Sequence, residues 1–477
     1  MKKSILFFAL IILNGFAYAQ TINVSLSVPA TPFQDADLGA MAFGDIDNDG
    51  DQDLIITGKG GPIKTTLYMN DGTGNFTVAT GTPFVNVFGG TVGFADVNND
   101  NFIDLLITGS TSAPMRTANL YLNNGNGTFS IAATPFTPSY EGDFAFEDID
   151  NDNDVDLILT GYNASDLGFT KLYINNGTGV FSEVTSIPFE QLKASSVAFI
   201  DIENDGDKDI ILSGTNNSTI NSTKLYVNNG NGVFTLNTAS SFTSIANGDI
   251  AIADSDNDGD MDILITGSSL PNYITKLYTN NGTGTFSEVV GTPFIGTYSG
   301  ATEFADFDND GDKDILLMGA GAVFNGIAAR AVIYQNQGNN TFTFSNELIA
   351  TYLASIAIAD IDGDTDLDFI FGGTHSSQGL STPKLYINNL NSPLDIIDNN
   401  NEISLSCFPN PSKDVVHFRI ANKIEKITLF NLLGQEVLSK LVDSTEFLID
   451  ISNLLNGTYI AKLENSGQTQ TIKLLKF

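Results

Sequence analysis

The string Asp45-Ile46-Asp47-Asn48-Asp49-Gly50-Asp51-Gln52-Asp53 sets carboxylates on alternate residues, with a glycine in sixth place. Carboxylates this close repel one another strongly unless a cation lies among them. Oxygen ligands select a hard cation, Ca²⁺ or Mg²⁺, and a flexible, carboxylate-rich loop favours Ca²⁺. Counted from the first Asp, the expected ligands are places one, three, five and nine. Place seven would add its backbone carbonyl. The first half is similar to an EF-hand loop, with alternate ligands and then a sharp turn, but the closing ligand comes earlier and a strand follows.

The stretch occurs seven times. The expected ligand sets are Asp45, Asp47, Asp49 and Asp53; Asp96, Asn98, Asp100 and Asp104; Asp148, Asp150, Asp152 and Asp156; Asp201, Glu203, Asp205 and Asp209; Asp254, Asp256, Asp258 and Asp262; Asp306, Asp308, Asp310 and Asp314; and Asp360, Asp362, Asp364 and Asp368. They predict up to seven Ca²⁺ ions, one per repeat. A solvated acidic loop without metal is the competing reading, and repetition at one place in seven units weighs against it. The copies are unequal. The second has Asn98 at three and Asn101 at six, the third Asn153 at six, the fourth Glu203 at three. The seventh has Thr365 at six, where a β-branched residue is poorly suited to positive φ, so this site is expected to be the most distorted or the weakest.

The elements that hold these loops follow from their spacing. Successive first Asp residues lie 51, 52, 53, 53, 52 and 54 residues apart, which defines a repeat architecture. Between loops the chain reads as four short strands, as in Asn75–Ala79, Gly90–Ala95, Asp104–Gly109 and Asn119–Asn123, with Asn124-Gly125 as a hairpin turn. No segment there keeps a helical period. Seven such units predict an all-β fold, a seven-bladed β-propeller over residues 20–390. The last repeat ends at Lys384–Asn389 without its final strand, and an orphan strand, Ile22–Val28, precedes the first. Residues 22–28 are therefore expected to pair near residues 384–388 and close the ring, in place of an open solenoid. The recurrent Thr-Pro-Phe element, at Phe33, Phe84, Phe136 and Phe294 with Phe189 as a variant, reads as a packing wedge between blades rather than a ligand platform.

Residues 1–19 have the basic start, short apolar run and Ala17-Tyr18-Ala19 site of a secretory signal peptide. No other run approaches a membrane span. Residues 391–403 read as a linker. Residues 404–477 lose the period, and their alternating segments predict a small β-sandwich, Ig-like. Residues 20–401 carry 48 Asp+Glu against 11 Lys+Arg, and 33 of those acids lie in the seven loops. Such a chain is a poor partner for nucleic acid. Cys407 is the only cysteine, so no internal disulfide forms. Catalysis has little support. The two histidines are His375, in an expected loop, and His417, in the tail, and neither H-E-x-x-H nor G-x-S-x-G occurs.

Phe43-x-Asp45-x-Asp47-x-Asp49-Gly50-Asp51-x-Asp53-Leu54 and its repeats resemble the FG-GAP/VCBS blade of integrin α-like propellers. The resemblance implies a Ca²⁺ loop in each blade and leaves function open among adhesion, ligand binding and accessory roles in polysaccharide degradation. Cys407–Pro411, Ile427–Val437 and Ile451–Tyr459 resemble the type A C-terminal sorting domain of the type IX secretion system. That implies export through this machinery in a Gram-negative, Bacteroidota-type bacterium, to the medium or the outer surface. The expected function is binding or adhesion to an extracellular glycan or protein, without catalysis. The alternatives are a polysaccharide-acting enzyme or its accessory carbohydrate-binding domain, and a passive surface-layer component.

Overall fold

A computed structural model describes residues 24–26, 31–112, 115–323, 326–348, 351–375, 382–390, 406–431, 435–465 and 468–477. The expected signal peptide and the whole of the expected linker lie outside these residues. Among the described residues there is no helix. The chain divides into two compact units, Met1–Ser392 and Pro393–Phe477.

The first unit is a seven-bladed propeller of antiparallel four-stranded sheets. Blade 1 comprises Met41–Gly44, Asp53–Lys59, Ile63–Asn70 and Phe76–Val78, in that order from inner to outer strand. Blades 2 to 6 repeat the plan, with inner strands starting at Val92, Phe144, Leu192, Ala246 and Thr302. A short strand, Thr297–Tyr298, also ties the sheets of blades 5 and 6 together. Blade 7 takes three strands from Thr351–Ala359, Asp368–His375 and Lys384–Asn388, and its outer strand is Val24–Leu26. Val24 registers with Asn388 and Leu26 with Tyr386. The ring closes through the start of the chain, as the missing last strand predicts. His375 ends the second strand of blade 7 rather than lying in a loop.

The second strands are the most apolar because both faces are covered by neighbouring blades. Leu54, Ile55 and Ile56 have no exposed surface, nor have Leu105, Leu106 and Ile107. The Phe element is a wedge. Phe84 meets Tyr121 and Phe129 of its own blade edge-on, inside an apolar layer shared with Ile46, Ile55 and Leu67 of blade 1. Phe33, Phe136, Phe189 and Phe294 form the same triads, and so does Phe242, which has no Pro before it. In six blades the buried tyrosine's hydroxyl accepts a backbone N–H just after the wedge, as Tyr121 does from Val85. Fully buried tyrosines require such a partner.

A second ring crosses the blades at the end away from the acidic loops. Seven residues before each first Asp stands a residue in left-handed conformation: Leu38, Gly89, Glu141, Ala194, Asn247, Ser299 and Leu353, with φ of 45–61°. For most of these types that costs roughly 1 kcal/mol each. The conformation points the amides along the ring. The N–H groups of Gly89, Glu141, Ala194, Ser299 and Leu353 donate to Leu38, Gly89, Glu141, Asn247 and Ser299 carbonyls at 2.6–2.9 Å.

The second unit is one hydrogen-bonded network of five strands folded over a core. Val415–Asn431 and Glu436–Asp450 are long strands, where the alternating segments of the tail suggest several short ones. Register shifts between Arg419 and Ile424 and between Ile424 and Lys426 let one strand serve both layers. Val416 and Phe418 from its first half pack with Ile427 and Leu429 from its second. Cys407 is free and half-buried.

Candidate metal centres

Each acidic loop joins an inner strand to the second strand of its blade, so sheet pairing on both sides fixes its ends. Gly44 pairs with Asp53 and Ala95 with Asp104 across the base of the loop. Place nine is the first residue of the second strand and is buried in all seven copies, at Asp53, Asp104, Asp156, Asp209, Asp262, Asp314 and Asp368. One oxygen accepts the N–H of place two and the other accepts the N–H of an asparagine on the third strand. For Asp53 these are Ile46 at 3.1 Å and Asn70 at 2.9 Å. Burial pushes Asp53, Asp104 and Asp262 up to about 6 and Asp156, Asp209 and Asp368 up to about 7, against the backbone donors, which lower them. Asp314 reaches about 8.

Place one accepts the N–H groups of places five and six, as Asp254 does from Asp258 and Gly259. Place five accepts the N–H of place seven, as Asp258 does from Asp260. Place three is different. Asp150, Asp256, Asp308 and Asp362 each keep an Oδ1 that is buried and has no hydrogen-bond partner. Burial raises all four, and the charges at places five and one raise them further; Asp308 is pushed up to about 6. A buried acceptor with no donor is what a bound cation would satisfy.

Oxygens of three carboxylates come within 4.8 Å of one another in five copies: Asp45, Asp47 and Asp49; Asp148, Asp150 and Asp156; Asp254, Asp256 and Asp262; Asp306, Asp308 and Asp310; and Asp360, Asp362 and Asp368. These clusters could hold a metal ion. The second and fourth copies do not form such a group among the described residues. In the second, Asn98 donates its amide to Asp100 at 3.0 Å, which satisfies the loop from within. In the fourth, Glu203 replaces the shorter Asp. In the seventh, Thr365 takes a φ of 76°, and the N–H of Gly363 rather than of place five reaches Asp360.

Two asparagine series were not anticipated. At place four, Asn48, Asn99, Asn151, Asn204, Asn257 and Asn309 adopt φ of 55–64°. The amides of Asn99, Asn151, Asn204, Asn257 and Asn309 reach the place-seven carboxylate of the next copy at 2.6–2.8 Å. Asn48 bonds the Asn101 carbonyl instead. Gly363 has no side chain to continue the series into blade 1. The second series is Asn70, Asn123, Asn175, Asn228, Asn280, Asn336 and Asn388, all buried. Besides the N–H given to place nine, each side chain donates to the place-two carbonyl of the preceding loop at 2.6–2.9 Å. Asn70 makes this bond to Ile361, across the closing seam. The signal was an Asn ending every third strand, masked by the Asn-Gly turn that follows.

Away from the loops, three further carboxylates stand on inner strands or, for Asp143, just before one. Asp143 accepts the Val197 N–H, Asp249 accepts the Thr302 N–H, and Ser196 donates to Asp249. Burial pushes Asp143 up to about 7, raises Asp249, and with the Asp249 and Asp143 charges lifts Glu303 to about 8. Glu303 is reached by solvent but closely surrounded by protein. Such acids hold extra protons in the folded state between about pH 4 and their raised values, so stability falls as pH rises through that window. The place-nine acids act in the same sense. Calcium-free protein is therefore expected to melt lower at about pH 8 than at about pH 5.5. Saturating calcium, which holds loop carboxylates ionised, should flatten the slope. Scanning calorimetry at fixed ionic strength checks this, and a calcium-free melting temperature that climbs with pH would contradict it.

Seven sheets carrying one acidic loop apiece make this a propeller of repeated acidic blades. The chain belongs to the FG-GAP-like repeat family, whose profile matches residues 45–107, 96–159, 148–212, 211–265 and 268–317. The secretion system C-terminal sorting domain profile matches residues 406–476. The protein is thus sorted by the type IX secretion system to the cell surface or extracellular space of a Bacteroidota bacterium, and its tail engages that machinery. No curated protein matches the chain. Among solved structures it is similar to PorZ, a surface component of the type IX secretion system of Porphyromonas gingivalis (12% identity, TM-score 0.42). The match covers 95% of this chain and 61% of that one. It is also similar to AofleA of Arthrobotrys oligospora (11%, TM-score 0.37, covering 69% and 90%). An arabinoxylan arabinofuranohydrolase of Bacillus subtilis is a third (11%, TM-score 0.29, covering 82% and 92%). At these scores the likenesses carry no functional argument.

Proposed function

We propose that this is a calcium-stabilised propeller that binds or adheres at the bacterial surface, over residues 20–390, and has no catalysis of its own. The observation that carries the calcium reading is the unpartnered place-three oxygen in four loops. Places one, three, five and nine would hold the ion, with the place-seven carbonyl as a further ligand. The oxygen-only donor set and the exposed, many-carboxylate loop favour Ca²⁺ over Mg²⁺, which demands a tighter octahedron. Calcium here supplies charge neutralisation and cross-linking of the loop. The binding reading rests on the export tail and on the repeat family of the propeller. His417 pairs with Glu446 in the sorting unit, far in sequence from the loops.

The test applies the secreted full chain to a glycan array and to host and bacterial cells, with and without calcium. Calcium-dependent retention without product release is expected. Release of shortened glycan would replace this reading with a polysaccharide-acting enzyme. Retention of nothing by correctly folded protein would leave only a passive surface component.

A further inference from the structure

The propeller end opposite the acidic loops has a chemistry of its own. The residue just before each left-handed ring position lies at that end, where inner strands begin. In blades 2, 3 and 4 these residues are Phe88, Tyr140 and Lys193, all partly exposed. Neighbouring strand ends add Lys59, Arg116 and Tyr162. The Lys59 ammonium stands 4.7 Å from the Phe88 ring centre and the Lys193 ammonium 5.0 Å from that of Tyr162. The Arg116 guanidinium lies 5.8 Å from both Tyr140 and Tyr162. The aromatic centres follow at 5.9 and 6.5 Å. In a region with only 11 Lys+Arg, three meet here.

Arg116 is the unusual member. Its side chain is only 8% exposed. Nη2 is paired with exposed Asp166, which fixes the guanidinium plane. Nη1 is buried and has no hydrogen-bond partner. A buried charged donor left unpaired is costly, and native proteins seldom keep one without use. Lys59 and Lys193 have no carboxylate within ion-pair distance among the described residues. The carboxylates at the patch are Asp166, Glu141 beside Tyr140, and Asp37, whose backbone pairs with that of Lys59 at the edge of the row.

We propose that this patch binds an acidic polysaccharide, with uronate carboxylates on the partly exposed Lys59 and Lys193 ammonium groups and pyranose C–H faces against Phe88, Tyr140 and Tyr162. An ammonium suits a carboxylate as a compact charge, and the amphipathic rings suit a sugar that is apolar on its faces and polar at its rim. The buried Arg116 guanidinium lies beneath the row, adding positive charge and holding the Tyr140 and Tyr162 rings in place. The ring of left-handed residues sets Phe88, Tyr140 and Lys193 at the same place in three successive blades. The inference rests on the binding reading above and names its ligand class and surface.

The probe is a hyaluronan hexasaccharide, which alternates glucuronate with N-acetylglucosamine, titrated into full-length protein with calcium held constant. Neutral chitohexaose and a poly-glutamate peptide are the comparisons. Hyaluronan is expected to bind, and chitohexaose and the peptide at least about ten-fold more weakly, the worth of one charge-assisted bond. Arg116→Gln and Lys193→Gln should each weaken hyaluronan binding by about ten-fold, and Lys276→Gln, paired with Glu288 on blade 5, should not. Lys193 is solvent-exposed enough that its variant keeps the test informative should Arg116→Gln fail to fold. Equal binding of chitohexaose overturns the acidic class, and equal binding of poly-glutamate overturns the saccharide. Unchanged hyaluronan affinity in the Lys193 variant overturns the site. Absent hyaluronan binding with calcium-dependent adhesion intact overturns this inference alone, and loss of both overturns the binding reading too.

Discussion

Removing calcium is expected to lower the melting temperature of the propeller by about 10 °C, and calcium to restore it in preference to magnesium. For a site with Kd of about 0.1 mM, as in extracellular modules, about 1 mM calcium contributes roughly 1.4 kcal/mol. Seven sites give about 10 kcal/mol, which is comparable with the whole net stability of a domain. With unfolding entropy of about 2 cal/mol/K per residue, a unit of this size shifts by about 10 °C. The loops bridge inner and second strands in every blade, so the loss is spread around the ring rather than confined to one end. Calorimetry in chelator, then in each cation, measures it. A melt indifferent to chelation would remove the metal from the account of this fold.

Asp150→Asn and Asp156→Asn, six residues apart in one loop, are expected to behave oppositely in calcium-free buffer. Asp156 accepts backbone N–H groups of Ile149 and Asn175 on its two oxygens and is buried. An amide there keeps one acceptor and turns its NH₂ on the other donor, costing about 3 kcal/mol without metal and more with it, because place nine is also a proposed ligand. Asp150 has a buried oxygen with nothing to accept and two like charges beside it. Neutralising it in calcium-free buffer is neutral or slightly stabilising, whereas in calcium it forfeits roughly 1.4 kcal/mol. Denaturant melts of both variants in the two buffers separate the roles. If Asp150→Asn costs the same in both, place three is structural and not a ligand.

The fold was legible because its signal is repeated. One loop would have been an acidic string, but seven in register set the blade count, the strand order and the partner of the orphan strand. Strand pairing was readable where the pattern alternates, as at Asp104–Gly109. The tail was less so, since Val415–Asn431 changes layers at register shifts that alternation cannot express. The ligand places were visible as residue types. What the types could not show is that place nine already spends both oxygens on backbone donors while place three holds one in reserve. The asparagine bonds between blades join residues 77 positions apart, as for Asn123 and Ile46, or 291 at the closing seam, and the Arg116 patch likewise gathers residues from blades 1 to 4.

The outer strand of blade 7 lies 364 residues from the strand it completes, counting from Val24 to Asn388. Local pairings within each blade can form as soon as that blade is free, but this contact cannot exist until the seventh blade has emerged. Contacts of such long separation form late and slow folding. The closing strand is therefore expected to be the last of the propeller's pairings to form. Three residues, Val24–Leu26, thus act as a clasp: the blades can each assemble locally, and the ring is locked only when this one long-range contact is made.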